Sequence, residues 1–282
     1  MSHFVLSGFG DEIAESLNTQ MDVMEKLGIR YIEMRGVNGR PLVQHTLEEV
    51  KAIKSILDQH GFKISCLGSP VGKIKITDPF EPHLELFQHT LKIAKILETK
   101  YIRVFSFFIP KGEKPEDYRQ EVLKRWLKLV ELARGTGITL LHENEKDIYG
   151  DTPERCLELL KAAEQEQVRA IFDPANFVQC DVETYPHAFE LLKDYVAYMH
   201  IKDAMKSDHR VVPAGQGDGK VSEILKELDQ RGFEGFLSLE PHLGDFKGFA
   251  ELEEVKDAEK LPEGGPRTFA LAVDSLRKIL PR

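Results

Sequence analysis

The sequence predicts an α/β protein folded as a single (β/α)8, or TIM, barrel spanning residues 1–282. Three observations carry that expectation. Eight short runs of apolar, β-branched or aromatic residues recur along the chain, and each is followed by a helical pattern. Their centres (residues 4, 31, 64, 102, 140, 171, 198 and 237) lie 27 to 39 residues apart, which is room for one strand, one helix and two short loops. The 282 residues also equal two average domains in length. No Pro/Gly/Ser linker, low-complexity tract or internal repeat divides them, so one barrel is the better account.

Taken in order, the expected strands are Phe4–Leu6, Arg30–Met34, Lys63–Leu67, Tyr101–Phe105, Ile138–His142, Ala170–Phe172, Val196–Met199 and Gly235–Leu239. Between the second and third, Thr46 and Glu49 stand at capping-box spacing, and Val50, Ile53 and Leu57 repeat on one helical face. From His83 onward, Leu84, Phe87, Leu91, Ala94 and Leu97 form the next stripe. Thr152-Pro153 reads as an N-cap followed by an N1 proline, ahead of Leu157 and Leu160. Phe269, Val273, Leu276 and Leu280 give the last helix, which Pro281 closes. The longest irregular stretch, at about 242–267, holds Phe246, Phe249 and the charged run Glu251–Lys260 and is expected as a long loop or extra helix. Its apolar positions point to an interface between copies, so a homo-oligomer is an open expectation.

Composition narrows the class of function. With 38 Lys+Arg against 47 Asp+Glu, the formal charge is −9, the wrong sign for a protein that tracks phosphates along a nucleic acid. No apolar run reaches the ~18–20 residues that cross a bilayer, so no membrane partner is expected. The segment Met1-Ser2-His3-Phe4 carries no Lys/Arg cluster of the kind that opens a signal peptide. Cys66, Cys156 and Cys180 are odd in number and widely separated. That is neither a disulfide framework nor a zinc-binding CxxC pair, and reduced thiols in a cytoplasmic protein are the plain reading.

In such a barrel the chemistry sits at the carboxyl ends of the strands. The fifth strand ends His142-Glu143, the sixth Phe172-Asp173, the seventh Met199-His200 and the eighth Leu239-Glu240. By alternation, Glu143 shares a face with Leu141 and Thr139, Asp173 with Ile171, His200 with Tyr198, and Glu240 with Ser238. All four can therefore point into the barrel mouth. Any one of them alone is more often a helix cap or ion-pair partner. Three carboxylates packed together repel unless a cation neutralises them, and four such residues on consecutive strands read as one divalent-metal site. An oxygen-rich set with one imidazole suits Mn²⁺ best, with Mg²⁺, Co²⁺ or Zn²⁺ as alternatives.

The quartet Glu143, Asp173, His200 and Glu240, together with HENE (142–145), FDPAN (172–176), MHIKDA (199–204), PAGQGDG (213–219) and SLEPH (238–242), resembles the sugar isomerase/epimerase superfamily of xylose-isomerase-like barrels. The resemblance covers essentially the whole chain. It implies one divalent metal on those four residues and, as in ketose 3-epimerases, Glu143 and Glu240 as the acid/base pair. The implied substrate is a sugar, sugar phosphate or cyclitol ketone reacting through an enediolate. A dehydratase of the inosose type uses the same site and is the alternative; a nuclease like the apurinic endonucleases is a remote one, since no His ends the third or fourth strand.

Two positions depart from the family pattern. Many relatives have a histidine where Asn176 stands and several epimerases an arginine where Lys206 stands, with Arg210 nearby. Asn hydrogen-bonds but does not titrate, and Lys lacks the bidentate fork. The resemblance makes Asn176, Lys206 and Arg210 substrate-binding candidates. Glu145 is either a substrate-hydroxyl partner or, with Asn144, a cap for the next helix. The run Gly215–Lys220 favours a tight turn over a phosphate cradle, because a P-loop would need Gly at 214 and Ser/Thr at 221, which are Ala214 and Val221. Lys73 and Lys75 could meet an anionic substrate but are more often solvated loop lysines, and Glu33 and Arg35 form an ion pair at least as readily as they contact substrate. His142 should turn away from Glu143 and pack, while His45, His89 and His187 have no expected role.

Overall fold

A computed structural model of the chain describes residues 3–163, 167–243 and 263–281. Eight parallel strands form one sheet: β1 (His3–Gly8), β2 (Tyr31–Met34), β3 (Lys63–Leu67), β4 (Tyr101–Val104), β5 (Thr139–Glu143), β6 (Val168–Phe172), β7 (Val196–Ile201) and β8 (Glu234–Leu239). Their order, β1-β8-β7-β6-β5-β4-β3-β2, is the cyclic order of a barrel. The ring is nearly closed. β1 and β2 meet at one parallel bridge, Phe9 to Glu33, rather than along a ladder.

Every expected strand is present, and the deviations have local causes. Phe105 falls outside β4 because its N–H donates to Val71 O at 2.7 Å instead of continuing the ladder. Between β2 and β3 the register slips after Ile32, so that Ile32 faces Ile64 and Glu33 faces Cys66. The extra residue, Ser65, puts its hydroxyl 2.6 Å from Ser7 Oγ and 2.9 Å from Tyr198 Oη across the barrel interior. Cys66, Leu141, Ile171 and Tyr198 pack together inside the ring, Leu141, Ile171 and Tyr198 on the face that alternation assigns to them.

The outer helices are α1 (Leu17–Lys26), α2 (Leu47–Gln59), α3 (Glu81–Leu97), α4 (Pro115–Ala133), α5 (Pro153–Lys161), α6 (Pro174–Gln179), α7 (Phe189–Leu192), α8 (Val221–Gln230) and α9 (Gly265–Ile279). The capping box of α2 is complete. Thr46 Oγ1 accepts the Glu49 N–H, and the Thr46 N–H donates back to Glu49 Oε2 at 2.7 Å. Val50, Ile53 and Leu57 are buried beneath it. Thr152 caps α5 with Pro153 at N1, although the buried face there is Cys156, Leu159 and Leu160. The α4 residue Trp126 donates its indole N–H to Leu159 O at 2.9 Å and so joins α4 to α5. His142 turns outward as expected, with its ring edge-on to Trp126 and Nε2 3.0 Å from Ser106 Oγ. Burial there pulls its pKa down to about 3.

The stretch expected as a loop or helix at 242–267 lies outside the described residues between 244 and 262. Its far end is corrected: α9 already begins at Gly265. No helix among the described residues is long and apolar enough to cross a membrane.

Candidate metal centre

The four strand-end residues converge. Glu143, Asp173, His200 and Glu240 each offer one ligand atom, and these atoms all lie within 4.8 Å of one another. All four residues are buried. His200 Nδ1 is the hub, 2.9 Å from Glu143 Oε1, 3.5 Å from Glu240 Oε2 and 3.6 Å from Asp173 Oδ2. The convergence follows from parallel strands in matched register: Ser238 lies beside His200, and Glu143 beside Ile171, so residues of one parity reach the mouth at one level.

Asp173 does two jobs at once. Its Oδ1 accepts the Asn176 N–H at 2.9 Å as the N-cap of α6, the ordinary duty of an Asp ahead of a proline. Its Oδ2 is left buried with no aligned hydrogen-bond donor and points into the cluster. The Lys202 ammonium lies 3.0 Å from that oxygen without an aligned hydrogen bond, and buried carboxylates packed this closely need cationic neighbours. The donor set, three carboxylates and one imidazole, matches a divalent ion of the Mn²⁺, Mg²⁺ or Zn²⁺ kind.

Three cations surround the quartet, of which the sequence offered only Arg35, as a substrate contact or a partner of Glu33. Lys202 is fully buried, with Nζ 2.7 Å from Glu240 Oε2 and 3.0 Å from Asp173 Oδ2. Arg103, on β4, places one guanidinium nitrogen 3.2 Å from Glu143 Oε2 and 3.8 Å from Glu240 Oε1. Arg35 reaches Glu240 Oε1 at 3.0 Å and also pairs with Asp11 and Glu12. Each glutamate therefore turns one oxygen toward the cluster and the other toward an arginine. Alternation held the signal for two of these cations, since Lys202 continues the Tyr198/His200 face and Arg103 shares a face with Tyr101.

These charges set the ionisation of the site. Burial opposes ionisation of Glu240, but Lys202, His200, His242 and Arg103 outweigh it and hold its carboxyl well below the usual range. Burial likewise opposes a charge on His200, yet Glu143 and Glu33 raise its pKa well above the ordinary value. Burial also works against the Lys202 ammonium, which Asp173 and Glu240 keep firmly protonated.

The expected ion pair between Glu33 and Arg35 does not form. Glu33 points into the barrel and meets His200 Nε2 at 3.1 Å, whereas Arg35 lies past the end of β2 and turns to Asp11, Glu12 and Glu240. Asn176 is at the site, its amide donating to Glu143 Oε1 at 3.2 Å and to Asn144 O at 3.0 Å. Asn144 exchanges two hydrogen bonds with the Asp173 backbone, both 2.9 Å. Glu145 stands beside it and pairs with Lys73 at 3.1 Å. Burial would raise the Glu145 carboxyl, but Lys73 and Lys202 bring it down to about 2. Lys73 thus has a partner and packs over the Phe105 ring, which corrects its expectation as a merely solvated lysine. Lys206 and Arg210 are exposed on the hairpin between Asp203–Ala204 and Val211–Val212. Arg210 pairs with Asp208, and among the described contacts neither side chain meets the quartet.

The glycine run is a turn, as expected, for a reason the sequence did not disclose. The Asp203 carboxylate accepts the N–H groups of Gly215, Gly217 and Gly219 at 3.0, 3.0 and 2.8 Å. The amides that would cradle a phosphate are already filled from within.

Comparisons with known proteins agree with this architecture. A family model described as a xylose isomerase-like TIM barrel matches residues 21–265. A curated relative, a probable L-ribulose-5-phosphate 3-epimerase of Mycoplasma pneumoniae, is 22% identical over 147 residues, covering 52% of this chain and 48% of its own. The chain thus spans about half the length of that relative. Among solved structures, a probable 3-DHS dehydratase, AsbF of Bacillus anthracis, superposes with a TM-score of 0.74 at 17% identity, covering 98% of this chain and 99% of that one. The IOLI protein, solved with a bound zinc atom, gives 0.72 at 18% identity over 99% and 100%.

Proposed function

Because the chain belongs to the xylose isomerase-like TIM-barrel family, we propose that it is a divalent-metal-dependent isomerase or epimerase acting on a sugar, sugar phosphate or cyclitol ketone. The single observation carrying this reading is the convergence of one ligand atom from each of Glu143, Asp173, His200 and Glu240 within 4.8 Å. Those four residues would hold the ion, Mn²⁺ being the one their chemistry suits best. When bound, the ion polarises a carbonyl and its neighbouring hydroxyl, which lowers the barrier to losing the intervening C–H proton.

The chain's own groups supply the rest. Glu143 enters from β5 and Glu240 from the end of β8, so they reach the cluster from separate parts of the ring. One carboxylate takes the α-proton and the other returns a proton to the opposite face, which inverts the centre. Return to the adjacent carbon gives an aldose–ketose exchange instead. Arg103, within 3.2 Å of Glu143 and 3.8 Å of Glu240, fixes both carboxylates in place. Asn176 orients Glu143 and offers hydrogen bonds to substrate hydroxyls. Glu145 stands two residues past Glu143, and Lys206 and Arg210 would reach substrate from the exposed hairpin.

The likeness to a dehydratase structure favours a second reading, in which the same carboxylate removes the proton and a β-hydroxyl leaves. A panel of ketoses, ketose phosphates and inososes incubated with Mn²⁺ in D₂O and read by mass spectrometry decides between them. Isomerisation or epimerisation adds one deuterium, whereas dehydration removes one water. A panel showing neither change, with a protein that binds no divalent ion, overturns the proposal.

A further inference from the structure

Glu33 has no part in the mechanism above, yet it is among the most deeply placed charges in the barrel. It lies on β2 with no solvent exposure. Both carboxylate oxygens face one atom, His200 Nε2, at 3.1 and 3.3 Å. The other ring nitrogen, Nδ1, is the one that faces Glu143, Asp173 and Glu240. We infer that Glu33 is a positioning residue that locks His200 in the Nε2–H tautomer and so presents the Nδ1 lone pair to the metal.

The argument is one of donor arithmetic. A neutral imidazole carries one N–H, and the nitrogen that lacks it is the ligand. If the proton sat on Nδ1, the ring would aim a donor at the place where an ion must bind. Glu143 Oε1 faces Nδ1 at 2.9 Å, but an ion held by Glu143 would take that oxygen, which leaves Glu33, able only to accept, to claim the Nε2–H. The ring is also held against rotation, being edge-on to Phe9 with centroids 5.2 Å apart and to Tyr198 at 5.9 Å. Glu33 itself is aimed by the slip in register between β2 and β3 and by the bridge from Phe9 that closes the barrel. Arg35, two residues on, is engaged by Asp11, Glu12 and Glu240 and does not compete for the Glu33 carboxylate.

This inference rests on the metal-site reading, so the experiment separates the two. Mn²⁺ titrations followed by EPR are run on the whole chain and on Glu33→Gln, Glu33→Leu and Asp173→Ala. Glu33→Leu removes the acceptor and is expected to weaken Mn²⁺ binding by about 10- to 100-fold, the range seen when such partners of metal-bound histidines are lost. Glu33→Gln keeps a neutral acceptor and should fall between wild type and Glu33→Leu, a ranking that also stands in for Glu33→Leu should that protein not fold. In the Zn²⁺-loaded wild type, ¹⁵N NMR should report His200 as the Nε2–H tautomer, with that proton signal shifted or lost in the Glu33 variants. A purely structural role would lower the melting temperature in chelator without moving either readout. Glu33 variants that bind Mn²⁺ like wild type, while Asp173→Ala does not, overturn the inference and leave the site standing. A wild-type chain that takes up no divalent ion overturns both.

Discussion

Lys202 offers the sharpest test of how the site balances its charge. Its ammonium is buried 2.7 Å from Glu240 Oε2 and 3.0 Å from Asp173 Oδ2. Lys202→Met keeps most of the side-chain volume and removes the charge, which strands two buried carboxylates. Breaking a buried ion pair from one side costs about 3–5 kcal/mol. For a domain of this size each kcal/mol moves the midpoint by roughly 2 °C, so the metal-free variant should melt about 6–10 °C below wild type near neutral pH. A divalent ion neutralises the same oxygens, and ligands that bind only the folded state raise stability. Saturating Mn²⁺ is therefore expected to recover at least half of the deficit, and the variant should bind Mn²⁺ no more weakly than wild type. Differential scanning calorimetry with EDTA and with Mn²⁺ reads both numbers. A deficit of the same size in both conditions, or none in EDTA, refutes the view that Lys202 and the metal answer to the same carboxylates.

Three further expectations follow from the geometry. Glu143→Gln and Glu240→Gln each abolish turnover of whichever ketone exchanges deuterium with wild type, while Asp173→Ala and His200→Ala also abolish metal uptake; full activity in either glutamine variant sinks the two-carboxylate mechanism. His83 accepts the Gly72 N–H at 2.7 Å, and burial together with Arg125 lowers its pKa from 6.5 to about 4. The unfolded chain then takes up this proton first as pH falls, so its share of stability is present above about pH 6.5 and is lost progressively down to about pH 4. After allowance for partial solvent screening that share is about 2 kcal/mol, and urea unfolding of His83→Gln should fall less steeply than wild type between pH 7 and pH 5. Asp203→Ala frees the N–H groups of Gly215, Gly217 and Gly219, at a cost of about 3–4 kcal/mol, visible as faster amide exchange across residues 213–220.

Caps and strand parity were legible in the sequence, whereas the partners that individual side chains choose were not. The capping box at Thr46 and Glu49 and the cap-proline pair at 152–153 are encoded within four residues, and both form. Alternation along parallel strands sufficed to place Glu143, Asp173, His200 and Glu240 at one level, because strand parity and barrel order leave little freedom. The same parity covers Lys202 and Arg103, but a lysine or arginine carries no metal-ligand signature, so nothing singled them out. Glu33 and Arg35 were paired with each other on proximity alone. The strand ends at Met34, alternation stops with it, and the two side chains separate to partners as remote in sequence as His200 and Glu240. Asp203 was missed for the same reason, since the amides it collects lie 12 to 16 residues away.

That carboxylate has a consequence for how the mouth behaves. A loop whose amides wait for a guest is ordered by that guest, and its closing and opening time the catalytic cycle. Here the guest is covalently part of the chain. A Cβ added at Gly217 or Gly219 would come within 2.5 and 2.6 Å of Asp203 Oδ1, so the wrapping is close enough to demand glycine at both. The β7 side of the entrance is in this sense permanently occupied, a fixed wall rather than a door. Arg35, past the end of β2, by contrast holds Glu240 from a half-buried position that water can reach.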